Sequence, residues 1–165
     1  MKNRKRYIIL LLLAVILLVP LLYSYLQYLN FATSHKFEKE LNKDLTSVIS
    51  QKKTFDMKDV THFEWDKMIV FHPYTARSQM ERIVGGIWTN YSYLEYLLFQ
   101  KTYLGKFPLD NDSFNKMIFM KGDKVIVDIT FNRAEVDLTH ITSTVFPEEA
   151  KFTIQDHILE QVVEE

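Results

Sequence analysis

Histidine is the side chain most readily set to acid–base or metal work near neutral pH, and this chain has five. His35, His62, His72, His140 and His157 show neither H-x-x-x-H nor H-x-x-E-H spacing. His62 and His72 flank one apolar stretch at an even separation, so a straight strand sets them on one face but about 33 Å apart. That distance is too great for a shared ion, and no metal site is expected. Asp110-Asn111-Asp112 has the opening of a calcium loop. Its sixth position, however, is Asn115 where the sharp turn needs Gly, and its twelfth is Lys121 where the bidentate Glu belongs. A solvated turn is expected instead. Ser113-Phe114-Asn115-Lys116 has the S-x-x-K spacing of penicillin-recognising enzymes, as does Ser50-Gln51-Lys52-Lys53, but neither S-D-N nor K-T-G accompanies them. There is also no G-x-S-x-G, P-loop or G-x-G-x-x-G. No catalytic residue and no cofactor is expected.

Two other groups of residues could bind something. Asp66 and Arg133, with Lys67, sit inside or beside apolar strand-like runs, and with His72 they could form a small polar site against a sheet. The plainer reading is that each pairs locally or faces solvent, because buried charges persist only when paired. From Trp88 to Phe107 the chain is crowded with aromatics. Trp88, Tyr91, Tyr93, Tyr96 and Tyr103 could make a recognition surface, since Tyr offers contact area at low entropy cost. Core packing is the plainer reading of such a segment.

These residues need a scaffold. Phe63 to His72 reads as the organising strand: it alternates through Phe63-Glu64-Trp65-Asp66, then becomes apolar on both faces at Met68–Phe71. Pro73 ends it. A short helix opening at Thr75 or Ser78, with Ser78 and Glu81 at capping-box spacing, should stop at Gly85. Ser34 to about Gln51 predicts an amphipathic helix with Phe37, Leu41, Leu45, Val48 and Ile49 on its apolar stripe. A further helix, capped by Asn90 or Ser92, should follow Trp88. Phe114 to Phe131 is a hairpin around Gly122-Asp123, a type II′ turn that pairs Ile118 with Val127 and Met120 with Val125. Ala134–Leu138 should add a strand to the same sheet, with Glu135 and Asp137 outward. Ile141–Phe146 and Lys151–Ile154 are weaker strands around Pro147, and His157–Glu165 reads as a short helix or a frayed end.

The net charge of −1 over 165 residues averages two unlike parts. Lys2, Arg4, Lys5 and Arg6 are the only charges before His35. Beyond them sixteen Lys and Arg stand against twenty-one Asp and Glu, which leaves −5 and no electrostatic footprint for nucleic acid. Tyr7–Leu29 is apolar for long enough to cross a bilayer, and Tyr23, Tyr25 and Tyr28 gather at its far end, as interfacial rings do. A cleaved signal peptide has the same charge pattern. Here the run is longer than an ordinary h-region, and no small-x-small site follows it. The basic tail places the N-terminus in the cytoplasm and everything after Asn30 outside. With no cysteine, an outer domain without disulfides must rely on its core.

Trp65-Asp66-Lys67-Met68-Ile69-Val70-Phe71-His72-Pro73-Tyr74-Thr75, followed by a short helix ending in Gly, resembles a motif of small membrane- or lipid-anchored extracytoplasmic bacterial proteins. The hydrophobic hairpin Met117–Arg133 is similar to their second half. The resemblance spans about half the chain and implies no catalytic residue. Many such proteins carry a lipidated cysteine, which this chain lacks.

The expected architecture is therefore α+β: a cytoplasmic tail and single transmembrane helix in residues 1–30, then an extracytoplasmic domain in 31–165 with an antiparallel sheet and two or three packed helices. The expected role is a non-enzymatic interaction or accessory module of a bacterial envelope. It would hold the bilayer through residues 7–29 and meet a protein partner; the alternative is a membrane-tethered hydrolase acting on envelope material.

Overall fold

In a computed structural model, which describes residues 2–51, 54–101, 107 and 109–162, the chain is α+β. The apolar run forms one helix, α1 (Lys2–Phe31), about 45 Å long. Arg4–Phe31 is long and apolar enough to cross a membrane, and its side chains are exposed almost throughout. Ser34 accepts from the Phe37 amide and opens α2 (His35–Gln51), whose predicted stripe buries Leu41 and Leu45. β1 (Thr54–Asp56) follows. Asp56 then caps α3 (Met57–Val60) by accepting from the Lys58 amide at 2.8 Å.

The organising strand is shorter than its sequence pattern. β2 runs Lys67–Phe71; Asp66 just before it donates its amide to the Met120 carbonyl at 2.8 Å, and Phe63–Trp65 lie outside the ladder. Trp65 is nevertheless core: it packs edge-on against Phe119 and donates its Nε1–H to Thr61 Oγ1 at 3.0 Å. α4 (Arg77–Val84) ends at Gly85 with φ +83, as expected. Its N-cap is Ala76, so the Ser78–Glu81 capping box does not form; Glu81 is engaged by Arg77 one turn earlier. Ser92 and Glu95 make a full capping box at α5 (Tyr93–Glu95), which continues as a π turn over Tyr96–Gln100.

β3 (Phe114–Lys121) and β4 (Lys124–Asn132) form the hairpin, with Gly122 at φ +57 as the type II′ geometry requires. The register departs from expectation. Met120 pairs with Val125, but Phe119 pairs with Val127 and Ile118 with Asp128. Ile126 is the extra residue of a β-bulge, and every residue of β4 beyond it changes face. β5 (Asp137–His140) does not extend this sheet; residues 133–135 form a turn, and Asp137 points inward to Arg133 rather than out. After β6 (Thr144–Val145), Pro147–Glu149 makes a 3-10 turn. β7 (Lys151–Gln155), over the expected weak strand, and β8 (Ile158–Gln161), where a short helix or a frayed end was expected, then form a hairpin. Asp156 supplies the left-handed turn residue, φ +47.

There are thus two four-stranded sheets, β4-β3-β2-β6 and β1-β7-β8-β5, antiparallel except where β5 runs parallel to β8. The first is buried on both faces. Met68, Val70, Met117, Phe119, Val127 and Ile129 meet α2 and the second sheet. Ile69, Phe71, Ile118, Met120 and Val125 meet Met80, Val84 and Trp88 on the other side.

α1 is tied to this second face. Thr33 donates to the Thr89 carbonyl at 2.9 Å and Thr89 to the Phe31 carbonyl at 3.0 Å, while Ser34 donates to the carbonyl of the bulge residue Ile126 at 2.9 Å. Tyr28 donates its hydroxyl to the Tyr91 carbonyl at 2.7 Å.

Candidate functional site: a polar-floored cavity at the end of the long apolar helix

The bulge at Ile126 decides the chemistry of the second face. It turns Asp128 onto the same side as Lys116, and the two form an ion pair in the interior, with Lys116 5% and Asp128 1% exposed. Lys116 donates to Asp128 Oδ1 and the Trp88 indole donates to Asp128 Oδ2 at 2.7 Å, so both carboxylate oxygens are satisfied. Arg77 stacks over Trp88 with its guanidinium carbon 4.7 Å from the ring centroid. It also donates to the Trp88 carbonyl and, at 2.8 Å, to Glu81. Glu81, Arg77, Trp88, Asp128 and Lys116 form one continuous polar chain across the floor of a cavity of about 500 Å³.

The walls are aromatic: Phe31 from the end of α1, Tyr91, Tyr96 and Phe99 from the segment after Trp88, and Phe107. Asn90, Gln100, Lys101 and Thr130 add to the polar part. Three cations and two carboxylates line the space, so its electrostatic balance is positive. Nearby Glu38, half-buried in the first turn of α2, is pushed above the usual carboxylate range, first by burial and partly by Asp128, while His35 opposes the shift. A smaller hollow of about 260 Å³ lies beside it, between Asn30, Val84, Ile87 and Lys124.

Among the aromatics singled out in the sequence, Trp88 is buried and holds the floor, Tyr91 and Tyr96 line the cavity, and Tyr93 packs on Tyr25 and Tyr28 of α1. Tyr103 lies outside the described residues. The stretch is thus neither core nor free surface: it wraps the exit of α1. Asp66, His72 and Arg133 do not assemble into one site. Asp66 accepts from the Gly122 amide at one end of β2, and His72 follows the other end, about 20 Å away. Arg133 is at the foot of β4, donating to the Asp112 carbonyl and to Asp137, both at 2.9 Å. Asp110–Asp112 is a turn, with Asn111 accepting from the Ser113 amide. Ser113 is exposed while Lys116 is interior. No three His, Asp or Glu among the described residues converge as a metal group would.

Asp128 was not singled out in the sequence, and Lys116 only as the lysine of the S-x-x-K spacing, never as the partner of Asp128. Their signal was there, as opposite charges inside two otherwise apolar strands, but an unbulged register sets Asp128 on the opposite face from Lys116. Comparison with protein-family models, with characterised proteins and with solved structures finds no match.

The Trp65–Thr75 motif has structural work to do. Trp65 fills the core, and Asp66 holds the hairpin turn. Tyr74 takes φ +64 while donating to the Leu109 carbonyl at 2.8 Å, and Thr75 closes the turn on the His72 carbonyl at 2.7 Å.

Proposed function

We propose that the protein is a membrane-anchored extracytoplasmic binding module, its N-terminus cytoplasmic, that holds a small amphiphile in the cavity beside α1. The cavity carries this reading: its size suits a small ligand, its walls are aromatic, and its few polar groups are fixed on a rigid floor. The positive balance of Arg77, Lys101 and Lys116 over Glu81 and Asp128 favours a ligand with an apolar body and an anionic end. The resemblance of Trp65–Thr75 to small anchored extracytoplasmic bacterial proteins, and the basic tail before Tyr7, agree with the location. A protein partner in the envelope could present or receive the ligand at this site.

The alternative, a membrane-tethered hydrolase acting on envelope material, draws support from the buried Lys116–Asp128 pair, since a cleft with convergent titratable groups is where catalysis is sought. Binding is preferred because both carboxylates are already occupied by cations. Among the described residues no lining hydroxyl is hydrogen-bonded to a base.

The test is mass spectrometry of small molecules released from the full chain purified in nanodiscs. Wild type should yield a bound amphiphile, and Thr130→Trp, which fills the cavity, should lose it while melting within a few degrees of wild type. Equal recovery from both would remove the cavity as the binding site. Breakdown of envelope material that disappears in Asp128→Asn would favour the hydrolase.

A further inference from the structure

The segment after Trp88 does more than wall the cavity. Its first residue, Tyr93, donates its hydroxyl to the Leu21 carbonyl of α1 at 3.1 Å, and at its end Lys101 Nζ lies 3.2 Å from Ser24 Oγ. Between them the Tyr96 ring packs on Tyr28 and Phe31. The segment therefore lies alongside the last turns of α1. A hydrocarbon core of about 30 Å takes about twenty helical residues. If it begins at Tyr7, where the basic tail stops, it ends near Leu26. Leu21 and Ser24 are inside that limit, so a segment bonded to them cannot stand clear of the leaflet.

Its outward side chains suit that depth. Leu94 in α5 is 67% exposed, and Phe99 in the π turn that follows, at the rim of the cavity, is 41% exposed. Ile87, 59% exposed, lies beside Asn30 and Phe31 at the same exit. Tyr93, Tyr96 and Lys101 are residue types that favour the headgroup level, and Lys101 also sits 5.1 Å from the centre of the Tyr96 ring.

We infer that Tyr93–Lys101, with Ile87, is a second membrane-contacting element. It seats the domain in the leaflet at the C-terminal end of α1, with Leu94, Phe99 and Ile87 against acyl chains. The partner is the lipid surface itself, continuous with the one that receives α1. The inference rests on α1 being a membrane span and not on what the cavity binds.

The chain has no cysteine, so single-cysteine spin labels can be placed without background. Leu94→Cys, Ile87→Cys, Leu13→Cys within α1 and Glu148→Cys on the far surface are each labelled in the full chain in nanodiscs. Collision with oxygen, which partitions into lipid, is compared with collision with a water-soluble nickel chelate. The labels at 94 and 87 should give oxygen-to-nickel ratios close to that of Leu13 and well above that of Glu148. If Leu13 reads lipid while 94 and 87 read water, the seating is wrong and the anchor stands. If Leu13 reads water, the anchor itself fails, and the seating with it. Spin–spin broadening at 94 and 87 with little exposure to either reagent would mean that a second copy covers this face, which also overturns the inference.

Discussion

Asp128 is satisfied by Lys116 and Trp88 together, and this small set controls the second face of the sheet. Removing one member of a buried pair leaves the other charged and unpaired in the interior. Asp128→Ala should therefore cost about 3–5 kcal/mol. Lys116→Met combined with Asp128→Leu should cost much less than the sum of the two single changes, since it removes both charges and preserves volume. Urea unfolding of the full chain in detergent measures the cycle; additive losses would show that the two do not act as a pair. Asp137 gives a pH-dependent counterpart. Burial alone would raise its pKa. Hydrogen bonds from the Arg133 side chain and from the Thr139 backbone and hydroxyl, with the Arg133 charge, outweigh burial and hold it at about 2, against an ordinary 3.8. A carboxyl depressed in the folded state stabilises fully above its unfolded pKa, and that stability is lost as pH falls toward the folded one. About 2 kcal/mol should vanish between about pH 4 and pH 2. Asp137→Asn should be less stable at neutral pH and flatter across that window.

At the scale of elements, the short β2 holds the core because its residues are apolar on both faces and a ring from outside the ladder, Trp65, closes one side. Trp65→Ala should cost about 3–5 kcal/mol, read from the same unfolding curves. A loss below about 1 kcal/mol would place Trp65 outside the core. The bulge at Ile126 is the second controlling element. It adds one residue to β4, reverses the faces beyond it, and presents a carbonyl to the Ser34 amide where α2 begins. Deleting Ile126 should restore an even ladder with Asp128 still opposite Ile118 on the Lys116 face, but remove the carbonyl that the Ser34 amide bonds. The deletion should then destabilise the domain more than Ile126→Val does, although Ile126 itself is only half-buried. Equal effects would mean the bulge is incidental.

At the scale of the whole molecule, α1 and the domain are joined by backbone hydrogen bonds at Phe31, Thr33 and Thr89 and by the packing of Tyr93 on Tyr25 and Tyr28, so helix and cavity keep a fixed relation. The orientation proposed from the basic tail makes a direct prediction. A reporter active only outside the cytoplasm, fused after Glu165, should be active, and one active only inside should be silent; the reverse would invert the topology. N-terminal sequencing should find Met1 or Lys2 and not a residue near Thr33, where a cleaved signal peptide would leave the mature end.

Local physics was legible without coordinates. A long apolar run can only be a helix if it meets lipid, because its backbone must bond internally. The amphipathic stripe of α2, the left-handed stop at Gly85, the cap at Ser92 (one of the two offered) and the turn at Gly122 all depend on residues within a few positions of one another. Register and partnership were not legible. Whether Asp128 meets Lys116 depends on one inserted residue, since a strand has period two and a single slip exchanges its faces. Asp137, placed outward by its own alternation, turned inward because β5 joined a second sheet, where it lies beside β8 from the C-terminal end. The tyrosine-rich stretch was ambiguous for the same reason. Its composition suits a core and a surface, and only the docking of α1, some sixty residues earlier in the chain, assigns it to the boundary between them.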